Sequence, residues 1–215
     1  MTDLVLPMVT PSLPVLSEVP SEAFSRPLSQ ILRVSTELAH KEVELRLALP
    51  GSILSLSDYQ ACLLRFYQLY TPMELQFERF SEWSALGLDP LGCSTSVRLA
   101  ADLQALNVFV PGITCAPAIS LPRLLYFANA LGACYVIEGS ALGSQFMLPQ
   151  LQQVLGEGMT GADSFFRGRG SETAAFWKHF RAALDLYGET HPEQVPSVVA
   201  GAISTFKAIG LWMRP

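Results

Sequence analysis

Hydrophobic and polar positions follow helical periods along most of this 215-residue chain, and no segment alternates convincingly at period two over a useful length. The first helical segment follows Pro27, whose fixed backbone angle pre-sets a first turn. Its apolar positions recur at near-helical spacing and are Leu28, Ile31, Leu32, Leu38 and Val43. The segment stops at the breaker pair Pro50 and Gly51, so we predict a helix over residues 27–48.

Helical spacing also marks the rest of the chain. Ser57 and Asp58 are placed to cap a second helix that begins near Tyr59 and continues to about residue 83. Pro72 lies inside it and removes one backbone donor, which predicts a kink or a split. Later helical segments cover residues 94–106, 124–148, 173–187 and 195–213, with a Pro-rich loop before residue 124 and a Gly-rich loop over residues 156–170. The pattern predicts an all-α fold, a single irregular bundle of about six to eight helices.

Composition bounds the domain organisation and the class of partner. Half of the residues are apolar (50%) and only 15% are charged, as in a globular chain with a sizeable core. We predict one helical domain over residues 27–215, after a Pro-rich lead at residues 1–26 that is extended or disordered. The net charge of −5, with no dense basic run, argues against a general nucleic-acid binder.

Cysteine spacing and hydropathy bear on the compartment. The cysteines are Cys62, Cys93, Cys115 and Cys134. They form no CxxC pair, and a chain of this length does not need disulfides, so we expect reduced thiols in a cytoplasmic protein. The most apolar stretches carry Pro, Gly, Asn or Glu within about 18 residues, so no membrane-spanning segment is expected. The N-terminus has no basic region before its apolar residues, which argues against a signal peptide.

The first helical segment carries a candidate site at His40. Thr36 lies one turn earlier on the same face, and Arg33 lies about two turns earlier, roughly 10 Å along the helix. An imidazole and a guanidinium on one face are typical of a site for a ligand with a metal centre and an acidic edge, and haem is such a ligand. The alternative is a structural histidine, since a lone helical histidine often has no ligand.

A second candidate stretch is Tyr135 to Phe146, YVIEGSALGSQF. Gly139 and Gly143 are four residues apart and lie on one helix face, although glycine weakens a helix interior. One explanation is close packing of two helices through small residues. The other is a flat ligand against the bare backbone, with Ser140 and Ser144 supplying small hydroxyl groups beside it.

Together the two stretches resemble the haem oxygenase family. The first motif, LR-x-x-T-x-x-x-H-x-x-x-E, consists of Leu32, Arg33, Thr36, His40 and Glu44, and YV-x-EGS-x-LG follows about a hundred residues later. Weaker matches are RL-x-x-DL from Arg98, SFFRGRG with Trp177 and Phe180, and the closing TFKAIGLWM. The most similar branch is the bacterial one found beside bacteriophytochromes, and the resemblance covers residue 27 to the end.

The resemblance implies roles for individual residues. His40 corresponds to the proximal iron ligand, and Glu44 either accepts a hydrogen bond from its other ring nitrogen or faces solvent. Arg33 corresponds to a residue that binds a haem propionate; Lys178 and Arg181 lie near other such positions or form a solvated face. The implied haem-binding set is Arg33, Thr36, His40, Glu44, Tyr135, Lys178 and Arg181. The implied distal, catalytic set is Gly139, Ser140, Gly143 and Ser144.

The implied reaction is oxidative cleavage of haem to biliverdin, carbon monoxide and ferrous iron. Haem is both cofactor and substrate, O2 and external electrons are required, and the donor is a ferredoxin or a reductase. A bacteriophytochrome is the implied acceptor of biliverdin. Two positions depart from the pattern: Ser144 replaces a common glycine and Arg169 replaces a common tyrosine.

Other interpretations stay open at this point. One is a haem-binding or haem-trafficking protein of the same fold with little turnover; others are a di-iron oxidase and an interaction module. His179 and His191 have no apparent role in a site. Arg167, Arg169, Lys178 and Arg181 are a hypothetical docking face for an acidic electron donor. The aromatic residues Phe165, Phe166, Phe176, Trp177 and Phe180 are expected mainly in the core, with one or two at the ligand's edge.

Overall fold

The computed structural model describes residues 26–89, 94–110, 116 and 121–213, and these ranges contain helices but no strand. The α-helices are α1 (Leu28–Leu47), α2 (Leu56–Phe77), α3 (Thr95–Ala105), α4 (Phe127–Leu155), α5 (Ser164–Arg167), α6 (Thr173–Thr190) and α7 (Val195–Trp212). The predicted all-α bundle is confirmed for the described part of the chain. The Pro-rich lead lies outside it, except for Arg26, and therefore stays a prediction.

Helix α1 lies one residue inside the predicted bounds at each end, and one of the apolar positions that indicated it is exposed. Leu28, Leu32 and Val43 are buried, whereas the side chain of Leu38 is 78% exposed. Leu38 follows Leu32 by six residues, which is about 240° around a helix, so it projects from another side. The buried stripe of α1 packs against α6 and α7.

Helix α2 begins earlier and ends earlier than predicted. Its N-cap is Ser55 and not Ser57 or Asp58: the Asp58 backbone N–H donates to Ser55 Oγ at 3.2 Å. The helix runs through Pro72 without a split and ends at Phe77. Because proline has no N–H, Pro72 donates no hydrogen bond to the carbonyl of Gln68 one turn earlier, and this carbonyl accepts the backbone N–H of Ala116 at 2.9 Å.

Helices α4 and α7 cross at the centre of the bundle with almost no space between their backbones. A Cβ added to Gly132 on α4 would lie 1.9 Å from the Val198 carbonyl oxygen on α7. A Cβ added to Gly201 on α7 would lie 2.2 Å from the Asn129 carbonyl oxygen on α4. Glycine at both positions therefore permits this crossing. Helix α4 is also longer than predicted, since it continues through Pro149 to Leu155.

Helix α7 lies in a segment that is long and apolar enough to cross a membrane, although no such segment was expected from the sequence. Among the described residues, Pro192–Trp212 is long and apolar enough to cross a bilayer. Length and composition alone do not separate such a segment from a core helix, and α7 packs against both α1 and α4 in this bundle.

The predicted Gly-rich loop over residues 156–170 contains a short helix, α5. Asp102 on α3 holds its first turn, because its two carboxylate oxygens accept the backbone N–H groups of Ser164 (2.8 Å) and Phe165 (2.7 Å). This carboxylate comes from about sixty residues away, so local spacing in the loop gave no sign of the helix. The contact fixes Phe165 and Phe166, which are both buried.

Candidate functional site

A cavity of about 1020 Å³ lies between α1 and α4, and its remaining walls come from α2, α5, α6 and α7. This is the upper end of the size range of small-molecule pockets. The cavity brings together nine of the predicted site residues, namely Arg33, Thr36, His40, Glu44, Tyr135, Gly139, Ser140, Gly143 and Ser144. Two segments separated by about a hundred residues therefore form one site.

His40 lies on the α1 side of the cavity with its imidazole 54% exposed. The Phe206 ring on α7 meets it edge to face, with centroids 5.5 Å apart. One carboxylate oxygen of Glu44 lies 3.4 Å from Nδ1. An acidic neighbour at Nδ1 fixes the tautomer of an imidazole and leaves Nε2 as the nitrogen that can bind a metal.

One edge of the cavity is polar and cationic. Burial raises the pKa of the Tyr135 phenol, and a hydrogen bond with the Thr36 side chain and the charges of Arg181 and Arg33 oppose that rise. Thr36 is itself buried and donates its hydroxyl to the Leu32 carbonyl at 2.7 Å. A phenol and positive charges at one edge favour an anionic group of a ligand there.

Lys178 and Arg181 do not line the cavity. Both side chains are exposed on α6, although Arg181 is close enough for its charge to affect Tyr135. Arg33 is therefore the one predicted basic residue that lies in the cavity wall itself. The predicted propionate contacts of Lys178 and Arg181 stay predictions.

The surroundings of Gly139 and Gly143 decide between close helix packing and space for a ligand as the reason for these glycines. A Cβ added to Gly143 would meet no atom within 4 Å, and one added to Gly139 would meet only the Trp177 ring, at 3.3 Å. Neither residue packs against another helix backbone, as Gly132 and Gly201 do. Gly143 faces open space, so the wall has room for a flat ligand against the backbone. This property fits haem.

Both serines of the α4 wall bond to their own helix. Ser140 donates to the Ile137 carbonyl at 2.7 Å, and Ser144 donates to the Ser140 carbonyl at 2.9 Å. The Ser144 hydroxyl turns back to the backbone, and its side chain is buried. Burial raises the pKa of Tyr70, which also forms a hydrogen bond with Ser140. Tyr70 keeps its proton at neutral pH and is a hydrogen-bond donor in the wall.

Aromatic residues form the apolar end of the cavity, and two of them were not predicted. Phe66 and Tyr70 of α2 line it and contact each other, with ring centroids 5.4 Å apart. Their only sequence signal is the spacing of four residues, within a helix in which five of the 22 residues are aromatic. Of the predicted aromatic cluster, Phe165, Phe166 and Trp177 line the cavity, whereas Phe176 and Phe180 do not.

Arg169, the second departure from the family pattern, is a buried partner of the α4 wall. Its guanidinium donates to Glu138 at 2.9 Å, and the two side chains are only 10% and 6% exposed. The guanidinium carbon also lies 3.6 Å from the centre of the Phe176 ring. Burial raises the pKa of Glu138, and the charge of Arg169 opposes that rise. The predicted docking face is corrected here, because Arg169 is not on the surface.

The other histidines lie outside the cavity. His179 is exposed, and its Nε2 lies 3.1 Å from the Gly87 carbonyl oxygen. His191 stacks on Tyr187, with ring centroids 4.6 Å apart. Within the described ranges, no three His, Cys, Asp or Glu side chains are grouped so that they could hold a metal ion. The di-iron alternative therefore gains no support from the described residues.

Comparison with known proteins gives the family. The family model of Heme oxygenase matches residues 26–214, so the chain belongs to the haem oxygenase family. The solved structure of haem oxygenase from Leptospira interrogans superposes with a TM-score of 0.65 and 21% sequence identity, over 87% of this chain and 98% of that chain. At this identity the likeness shows a shared all-helical fold. No curated protein sequence matches the chain.

Proposed function

We propose that this chain cleaves haem to biliverdin, carbon monoxide and ferrous iron, with O2 and electrons from an external donor. Membership of the haem oxygenase family supports this activity in general. The observation that carries the finer proposal is the cavity, in which His40 and Arg33 of α1 face the bare α4 backbone at Gly139 and Gly143. Such a space suits a planar ligand with a metal centre and acidic groups at one edge.

His40 is the proposed proximal ligand. Glu44 lies near Nδ1, so Nε2 is the atom that would bind iron. A neutral histidine is a common haem ligand, and haem held by His40 would supply the iron at which O2 reacts. The edge-to-face contact with Phe206 limits rotation of the ring. On α1, therefore, the chain supplies the ligand and two neighbours that orient it.

The haem propionates would lie at the cationic edge. The guanidinium of Arg33 can pair with a carboxylate through two parallel hydrogen bonds, and the Tyr135 hydroxyl lies on the same side of the cavity. Arg181 and Lys178 on the exposed face of α6 are proposed to complete this set. Pairing at one edge would fix the in-plane rotation of the ligand.

On the α4 side, the chain supplies a backbone that a flat ligand can approach closely, together with hydroxyl groups that can donate hydrogen bonds. When bound, haem supplies the redox chemistry and is itself the molecule that is opened. Tyr70 and Ser140 present hydroxyl groups there, and Tyr70 holds its proton because burial raises its pKa. Phe66, Phe165 and Phe166 close the apolar end and exclude water from it.

The partners follow from the same proposal. We place docking of an acidic electron donor, such as a ferredoxin or a reductase, near the exposed Lys178 and Arg181, without the buried Arg169. The proposed setting is the cytoplasm, with a bacteriophytochrome as acceptor of the biliverdin. The similarity of the two motifs to the bacterial branch is the support for this acceptor.

The test is optical and uses a matched pair of histidine variants. Haemin is added to the purified protein, a reductant is added under air, and absorption spectra are recorded over time. We expect a sharp Soret band that decays while the broad red absorbance of biliverdin appears. His40→Ala should lose turnover, because it lacks the proposed iron ligand. His179→Ala should behave like the wild type, since His179 lies outside the cavity.

Two other outcomes would change the proposal. A Soret band that forms and then persists under reductant and air indicates a protein that binds haem without degrading it, which is the trafficking alternative. If no Soret band forms with the wild-type protein, the proposed haem site is wrong.

A further inference from the structure

The face of α4 that points away from the cavity is tied to the segment 168–170 at three points. Arg169 donates to Glu138 at 2.9 Å. Gly168 packs on Ala141, since a Cβ added to Gly168 would lie 3.5 Å from the Ala141 Cβ. Gln145 Nε2 donates to the Gly170 carbonyl at 2.9 Å. We refer to these three contacts as the α4 clamp.

Helix geometry places the clamp behind the cavity wall. At about 100° per residue, positions 138, 141 and 145 fall within about 60° of one another. The wall residues at positions 139, 140, 143 and 144 are centred about 160° away from them. The same two turns of α4 therefore carry the wall on one side and the clamp on the other.

The clamp segment has a backbone conformation that favours glycine and is held by contacts from α4 and α6. Gly168 and Gly170 flank Arg169 with φ of +59° and +58°, a region that favours glycine. Thr173 of α6 donates its hydroxyl to the same Gly170 carbonyl that Gln145 contacts, at 2.9 Å. The Arg169 side chain is held between two elements, because it pairs with Glu138 on α4 and stacks on Phe176 of α6.

A buried ion pair carries a desolvation penalty that apolar packing of a helix does not. Two charges are removed from water, and Arg169 Nε has no hydrogen-bond partner among the described residues. Apolar residues of similar size often stabilise such a position equally well. A charged, hydrogen-bonded pair differs in fixing a distance and an angle. Its use here is consistent with a need for a defined position of α4.

We propose that Arg169 and Glu138 are positioning residues, which set the distance and rotation of the Gly139–Ser144 wall relative to α1 and so decide how haem lies in the cavity. This inference rests on the proposed function and deepens it, because it gives the wall a mechanical support outside the site. Neither residue lines the cavity, and both act through the backbone of α4.

The test compares Arg169→Gln, the double variant Glu138→Gln/Arg169→Gln and the control Arg167→Gln. Glutamine is too short to span the same distance, and the double variant removes both charges of the pair together. The Arg167 side chain is 60% exposed and pairs with Asp163, whose side chain is only 11% exposed, and Arg167 makes no clamp contact. The measurements are urea unfolding of the haem-free proteins, hydrogen exchange over residues 136–147, the ferric haemin spectrum, and the ratio of biliverdin isomers.

We expect stability to fall in Arg169→Gln and to recover in the double variant. In both variants hydrogen exchange over residues 136–147 should accelerate, the ferric spectrum should shift and the isomer ratio should change. Turnover should fall about tenfold to a hundredfold, with a much smaller change in haemin affinity, because small displacements at a reacting centre are costly. Arg167→Gln should match the wild type in hydrogen exchange over residues 136–147, ferric spectrum, isomer ratio and turnover, and should lower only the unfolding free energy, because Asp163 loses its ion-pair partner.

The outcomes separate positioning from a structural role. A stable double variant with the wild-type spectrum, isomer ratio and exchange rates would overturn the inference. If Arg169→Gln and the double variant do not fold, Gln145→Ala removes one exposed clamp contact and should show a smaller shift in the same direction; no shift would overturn the inference. If the wild type does not bind haemin, the proposed function fails, and hydrogen exchange of the haem-free proteins still decides whether the clamp holds α4.

Discussion

At the scale of single residues, Glu44 is the neighbour of His40 with the clearest chemical consequence. Its carboxylate lies one helical turn beyond the imidazole and 3.4 Å from Nδ1, while its side chain remains 61% exposed. Solvent weakens the charge interaction at such a site. We therefore expect Glu44 to act mainly on the tautomer and orientation of the ring and not on the stability of the fold.

Glu44→Ala should weaken haemin binding or slow turnover by about tenfold to a hundredfold, as is usual when the partner of a metal-binding histidine is removed. The unfolding midpoint of the haem-free protein should not change. Haemin titration by absorbance is the measurement, and Glu42→Ala, an exposed residue that does not line the cavity, is the control. Equal haemin affinity and turnover in both variants and the wild type would show that Glu44 faces solvent only.

Some residues of the cavity could be predicted from the sequence, and others could not. Arg33, Thr36 and His40 share one helix face, so their spacing was sufficient to group them. Tyr70 had no such signal, because its partner Ser140 comes from another part of the chain. Behind the wall, the spacing likewise gave no sign that Glu138 pairs with Arg169. The hydrophobic period of one helix does not indicate which face of another helix will pack against it.

At the scale of elements, the glycines of α4 have two separate uses. Gly132 lies against the α7 backbone and is required for the helix crossing, whereas Gly143 faces the open cavity. The sequence pattern indicated only Gly139 and Gly143 and was compatible with either use. The spacing of small residues does not say whether the space beside them is filled by another backbone or left for a ligand.

Gly132→Ala and Gly143→Ala should have opposite effects on stability. The first places a Cβ 1.9 Å from a backbone oxygen and should cost at least about 3 kcal/mol of unfolding free energy. The second meets nothing and should add about 0.5–1 kcal/mol to the stability of the haem-free protein, because alanine favours a helix interior. Urea unfolding of the two variants is the measurement.

Haemin titration of Gly143→Ala gives a second result. If haem lies directly on the α4 backbone, the added methyl group should lower the affinity or the turnover although the protein is more stable. Unchanged binding and turnover would contradict close contact of haem with Gly143.

The helix ends, in contrast, are explained without any ligand: Ser55 caps α2, and Asp102 caps α5 from a distant part of the chain.

At the scale of the whole molecule, the helical content was predictable and the arrangement was not. Amphipathic spacing was sufficient to predict six segments, and their order agrees with the described helices. Helix α5 was missed because it is one turn long and is held by Asp102. The exposure of Leu38 was missed because hydrophobicity alone does not place a residue on the buried stripe.

Stability should fall in alkaline solution. Burial raises the pKa of Cys62 from 9.0 to about 12, and it also raises the pKa of Cys134, Tyr59 and Tyr70. In the unfolded chain these groups lose their protons near pH 9 to 10, while the folded protein retains them. Their contribution is therefore complete below pH 9 and is lost as the pH rises through the folded values, by about 1.4 kcal/mol per pH unit for each group.

Urea unfolding between pH 8 and pH 11 measures this decline. Cys62→Ala should show a shallower slope than the wild type above pH 9, because one of the four groups is removed. The comparison of slopes separates the titration from the cavity that the substitution also creates, since the cavity lowers stability equally at every pH. A wild-type unfolding free energy that stays constant to pH 11 would contradict the prediction.

The crossing of α4 and α7 also limits how this sequence can change over evolutionary time. Large residues in a core are often accommodated by a second substitution that makes a neighbouring side chain smaller. At Gly132 and Gly201 the neighbouring atoms are carbonyl oxygens of the opposite backbone, which every residue type carries. No second substitution at Val198 or Asn129 can therefore restore the space, and a genetic screen for suppressors of Gly132→Ala should recover none at those two positions.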